Sequence, residues 1–110
     1  MSNYTMQKIE NLVCSIVNEV LNDGADVLPS DVYDGKKNIP FKRAVARNVI
    51  FVTMHNCYGF TYQVIGQRAD MDERSVMRCV RKFNDFIEYD AAYRDIASLL
   101  SKRLDVIYGE

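Results

Sequence analysis

Histidine and cysteine are scarce in this chain of 110 residues. Its one histidine, His55, and three widely spaced cysteines, Cys14, Cys57 and Cys79, with no C-x-x-C pair, leave both a zinc site and a disulfide framework without ligands. The thiols are expected to be buried and reduced. No apolar run reaches the ~18 residues that a membrane span needs, and the opening MSNYTMQKIE lacks a basic stretch followed by an apolar block. A cytoplasmic protein with no membrane partner is the expectation. Paired carboxylates, a Ser/His/Asp spacing and a metal-binding cluster are missing as well, so the sequence points to no enzyme and no cofactor. Repeats, low-complexity tracts and linkers are also lacking, and 48% apolar content suits one packed domain over residues 1–110.

The net charge of −1 is an average over a polarised chain. Residues 1–35 hold one lysine against six acids, and residues 83–110 hold three bases against six acids. Residues 36–82 hold ten bases against Asp70, Asp72 and Glu73. A basic middle of this kind is what phosphate binding leaves in a sequence, and the near-neutral total hides it.

Helical periodicity runs through most of the chain. Met6, Ile9, Leu12, Val13, Ile16, Val17, Val20 and Leu21 predict a first helix, with Thr5 as N-cap and Asn22-Asp23-Gly24 as stop. Residues 25–40 read as a loop with one helical turn at Ser30–Tyr33. Pro40 suits the first turn of the next helix, which runs towards Tyr58-Gly59; the β-branched cluster from Val49 to Thr53 leaves a strand as the alternative. Thr61 is positioned to cap a short helix through Arg68, with Val64 and Ile65 inward and Gly66 leaving room for a close neighbour. Asp72 would cap a further helix with Val76, Cys79, Val80, Phe83, Phe86 and Ile87 inward, and Tyr93, Ile96, Leu99, Leu100 and Leu104 a last one ending before Gly109. The fold class is all-α, a small bundle of five or six helices. Two of them, joined by three or four residues, have the spacing of a helix-turn-helix.

Ala46-Arg47-Asn48, Phe60-Thr61, Ile65-Gly66, Asp72, Ser75-Val76 and Cys79-Val80-Arg81-Lys82-Phe83 lie, in one gapless register, in a pattern that resembles the C-terminal DNA-binding domain of the bacterial replication initiator DnaA. The likeness spans roughly residues 8–104 and includes the closing stretch IEYDAAYRDIASLLSKRL. It implies a TrpR-like helix-turn-helix fold, double-stranded DNA as partner, and a role in replication or transcription alongside other regulatory proteins. The departures fall on the positions the family uses to read its target: Met71, Glu73 and Arg74 replace its Arg, His and first Thr, and Ala69-Asp70 its Phe-Gly. A different target sequence or general binding follows. The family's ATPase belongs to another domain, and no G-x-x-x-x-G-K-S/T pattern occurs in this chain, so no nucleotide partner is expected.

On this reading Asp72, Glu73, Arg74, Ser75 and Arg78 face base edges from the first turns of the recognition helix. Lys36, Lys37, Lys42, Arg43, Arg47, Thr61, Gln63, Arg68, Arg81 and Lys82 would hold the backbone, positioning without specifying. Each has a plainer alternative: acids at a helix start complement its dipole, Thr61 is first a cap, and a run of charge is often a solvated face. His55, at a helix end without an acid–base partner, suits a surface or capping role, and Tyr58, Phe60 and Tyr62 suit a core and its rim. The rival function is a protein-interaction module whose acidic ends meet a basic partner.

Overall fold

The computed structural model describes residues 2–35 and 39–105, and all of its regular structure is helical. Helix α1 spans Ser2–Val20, α2 Phe41–Val52, α3 Tyr62–Ala69, α4 Glu73–Phe86 and α5 Ala91–Leu104; α2 runs on without a break into a π-helical turn, Thr53–Cys57. The strand alternative for Val49–Thr53 therefore gives way to helix. The radius of gyration, 12.6 Å, is close to the ~13 Å of a compact chain of this length.

The reason the β-branched cluster forms a helix lies in its position. Every residue from Val45 to Met54 is buried, so α2 is the central rod of the bundle, and a helix covered on all sides needs apolar residues on all sides. Helices α1 and α4 pack against it, and α5 packs against α1. Met6, Ile9, Val13, Ile16 and Val17 from α1, Val76, Val80 and Phe83 from α4, and Tyr93, Ile96 and Leu100 from α5 close one apolar cluster around it. Burying each such side chain contributes about 1.5–3 kcal/mol.

Helix ends follow local chemistry where a cap is present. Thr61 Oγ1 accepts from Val64 N at 3.1 Å, Asp72 Oδ1 from Ser75 N at 2.7 Å, and Asp90 Oδ1 from Ala92 N at 2.9 Å. Pro40 stands just outside α2, at its N-cap position. The α2 and α5 ends fall where expected, before Tyr58-Gly59 and before Gly109, while one boundary and one facing differ from expectation. Helix α1 begins at Ser2, so Thr5 lies inside it: the apolar period marks the first buried residue, Met6, and not where the backbone starts to coil. Helix α2 outlasts its apolar face through the π turn, where Thr53 Oγ1 donates back to Val49 O at 2.7 Å. Helix α5 stops at Leu104 because Asp105 turns left-handed at φ 56°. Val64, expected inward, is 39% exposed, since a two-turn helix buries only one edge, here Ile65, Gly66 and Ala69.

Asp70, left-handed at φ 57°, ends α3, and the chain turns through Met71 and Asp72 into α4. Gly66 makes this turn possible. Met71 N donates to Gly66 O at 2.9 Å, and a Cβ on Gly66 would sit 2.5 Å from Met71 O. Gly66→Ala is therefore expected to lower stability by about 1–3 kcal/mol through forced displacement of the turn. Gly59→Ala, in open space but left-handed at φ 77°, should cost about 1 kcal/mol from backbone strain alone. Urea denaturation of the two variants checks the difference; equal losses would remove the steric account of Gly66.

Candidate nucleic-acid interface

The loop between α1 and α2 is held at three points, and one of them involves a residue expected to hold DNA. Asn18 and Val27 bond reciprocally at its start, Nδ2 to the Val27 carbonyl at 2.9 Å and Val27 N to Oδ1 at 2.8 Å. Further on, Tyr33 stacks on Phe51 and donates its hydroxyl to Glu10 Oε2 at 2.6 Å. At the loop's end the Arg47 guanidinium reaches from α2, donating from Nε to Val32 O at 2.7 Å and from Nη2 to Asp34 O at 2.5 Å and Gly35 O at 3.3 Å.

Arg47, expected on the DNA backbone, is thus corrected to a buried residue, 4% exposed, that tethers the loop. Its long stem lies on the central helix, and only burial brings its head to carbonyls that would otherwise lack a donor. Burial also lowers its pKa. Arg68 is corrected likewise. Its Nε and Nη2 each lie 2.8 Å from an oxygen of Glu10, a fork-to-fork pair joining α3 to α1. Glu10 is the residue that sequence reasoning missed, and its signal was an acid set among Ile9, Val13 and Cys14 on the apolar side of α1, where it needs a cationic partner. Asn48 was missed too; it donates from the core of α2 to the Tyr93 hydroxyl of α5 at 3.0 Å.

Lys42 and Arg43 are half-buried and lean on the loop, Lys42 Nζ on Ala25 O at 3.2 Å and Arg43 Nη1 on Asp34 O at 3.1 Å. Lys36 and Lys37 lie outside the described residues. Thr61 and Gln63 are exposed at the start of α3, with Thr61 engaged as the cap. His55 donates from Nδ1 to Phe60 O at 2.8 Å and stacks on Tyr62 at 3.9 Å, fixing how the chain enters α3. Phe60 and Tyr62 are half-buried, and Tyr58 is exposed. Among the cysteines, Cys14 is buried as expected, whereas Cys57 and Cys79 are only half-buried.

Helix α4 carries what remains. Arg74, Arg78, Arg81 and Lys82 are all exposed, and their spacing puts them on one face, opposite buried Val76, Val80 and Phe83. None of the four makes a salt bridge among the described residues. At the amino end of the helix Glu73 is exposed, Ser75 is half-buried, and Asp72 is exposed with one oxygen committed to the cap. Hydrogen bonds from Ser75, aided by Arg78 and Arg74, hold the Asp72 carboxyl below its ordinary value. Of the ten bases in residues 36–82, these four are the ones left exposed and unpaired among the described residues.

No helix among the described residues is long and apolar enough to cross a membrane, and no group of His, Cys, Asp and Glu among them could hold a metal ion. Comparison with protein-family models, with curated proteins and with solved structures finds no match.

Two predictions follow from the buried charges. Arg68→Ala strands the Glu10 carboxylate and should cost about 3 kcal/mol, whereas Arg103→Ala removes only an exposed pair with Glu19 at 3.4 Å and should cost under about 0.5 kcal/mol. Thermal and urea unfolding separate the two, and equal effects would contradict the anchoring role of Glu10. The second concerns alkali. Burial, with Glu10 and Asp31 nearby, pushes the Cys14 thiol from an ordinary 9.0 up to about 12, and burial with the Glu10 hydrogen bond pushes Tyr33 up as well. A folded pKa above the unfolded one means that the unfolded chain releases its proton first. Stability should hold below about pH 9 and fall as pH climbs towards 12. Urea midpoints across that range test this; a flat profile would refute the burial of these groups.

Proposed function

We propose that this is a double-stranded DNA-binding protein in which α3 and α4 form a helix-turn-helix of the TrpR-like kind found in the DnaA C-terminal domain, acting in the regulation of replication or transcription. The observation that carries the reading is the α4 face: four exposed cations without carboxylate partners, on a helix whose amino end is open to solvent. The three-residue turn, Asp70–Asp72, and the close approach at Gly66 support it, because they brace the second helix against the first and leave its outer face clear. Arg74 and Arg78, one turn apart, have the fork geometry that pairs with guanine; Glu73 can accept from a cytosine amino group, and Ser75 from or to either. Arg81 and Lys82 sit further along, where they meet phosphates. Asp72 acts first as a cap.

Residues 70–73 bring three carboxylates to the tip of the same helix, and these favour the second reading, a module that docks a basic protein partner. Salt separates the two. The two phosphate contacts of Arg81 and Lys82 give a slope of log K against log salt of about −2, so fluorescence anisotropy with mixed-sequence duplexes should show binding that weakens as salt rises. Reversing both charges, Arg74→Glu with Arg78→Glu, should abolish sequence preference while circular dichroism stays helical. No binding at low salt would reject the DNA reading in favour of the protein partner, and preference surviving in the double variant would reject the assigned residues.

A further inference from the structure

We infer that the groove between the 30–35 loop and the first half of α4 is a binding site for a phosphate-type anion, gripped from its floor by Arg47 and from its rim by Arg78 and Lys82. These residues line the groove together with Ser75 and Cys79. The inference goes beyond the duplex reading, because it does not require α4 to enter a DNA groove.

Three observations carry it. The first is a buried charge with no ion-pair partner among the described residues. Arg47 is 4% exposed, yet its hydrogen bonds go to neutral carbonyls, no carboxylate among the described residues lies within ion-pair distance, and Nη1 bonds to nothing among them. A cation desolvated without a counter-ion is costly, and an anion entering the groove would offset that cost. Arg68, in the same groove, differs in having its charge met by Glu10.

The second is the sign of the field. The Cys79 thiol is raised by burial and drawn back down by Lys82, Arg47 and Arg78, so the charges felt there are cationic. Three acids also line the groove: Asp70 and Asp72 at the α3–α4 turn, Asp72 engaged as the cap, and exposed Asp34 at the end of the loop, which favours the Arg47 charge without reaching ion-pair distance. The third is donor chemistry. The Arg78 guanidinium, the unbonded Nη1 of Arg47, the Lys82 ammonium and the Ser75 hydroxyl all line this groove, and several donors of that kind suit the oxygens of phosphate better than a single carboxylate. Inorganic phosphate, a phosphate monoester and a duplex phosphodiester all present such oxygens.

Cys79 supplies the readout. An anion over it would cancel the cations that favour its thiolate and also block access, so alkylation should slow. The folded protein is treated with iodoacetamide, and modification at each cysteine is followed by peptide mass spectrometry, in inorganic phosphate or in sodium chloride of equal ionic strength. A parallel arm adds a mixed-sequence duplex. We expect phosphate to slow modification of Cys79 severalfold with Cys57 unchanged, and Arg78→Gln and Lys82→Gln, both at exposed positions, to abolish the slowing while the helical spectrum is retained. Slowing by duplex alone supports the site and names the phosphodiester as the source. Slowing by neither overturns it, even where anisotropy shows duplex bound. Slowing by phosphate with no duplex binding keeps this inference and rejects the DNA reading.

Discussion

The carboxylate of Glu10 is the constraint on which the arrangement of helices depends. It is 3% exposed and it accepts from Tyr33 on the loop and twice from Arg68 on α3. One buried anion therefore joins three segments far apart in sequence. Hydrophobic packing alone tolerates small slides and rotations, whereas a forked ion pair in a dry setting holds only in one geometry. Since α3 is two turns long and buries only one edge, this pair is what aims it, and through the Gly66 turn it aims α4.

Arg47 plays the complementary part from the central helix. Both buried charges grip the same loop, Glu10 by way of Tyr33 and Arg47 by way of the carbonyls of Val32, Asp34 and Gly35. The loop thereby becomes a wall facing α4, not a free connector. The difference between the two lies in neutralisation: Glu10 has its counter-ion in direct contact, and Arg47 has none within ion-pair distance among the described residues. Fold stability and anion recognition meet at this one side chain, which both tethers the loop and leaves positive charge beneath the groove.

The α4 surface follows from a division of labour among the cations. Arg68 is used up by Glu10, and Lys42 and Arg43 lean on the loop, so the exposed charge open to a partner narrows to one face of α4, with Arg47 buried beneath it. Asp72 and Glu73 at its start favour the helix dipole, while the cations follow over the next two turns. On the proposed reading this spacing separates a tip that discriminates from a flank that binds phosphate.

The all-helical class, the caps at Thr61 and Asp72 and the inward stripe of α4 were legible in the sequence because each rests on local spacing and on the short reach of a cap, which tertiary packing does not alter. The start of α1, the facing of Val64 and the π turn were not, since burial reports contact and not backbone conformation. For the candidate site, the exposure of Arg74, Arg78, Arg81 and Lys82 could be read from helical periodicity alone. The fate of Arg47 and Arg68 could not, because a cation's role is set by which carboxylate or carbonyl comes within a few ångströms of it, and the nearest ones lie 13 and 58 residues away. The sequence by itself determined which segments coil and which of their faces are wet. Only the tertiary structure decided which charges are spent inside the molecule and which are left for a partner, because that choice depends on distances through space that no spacing along the chain encodes.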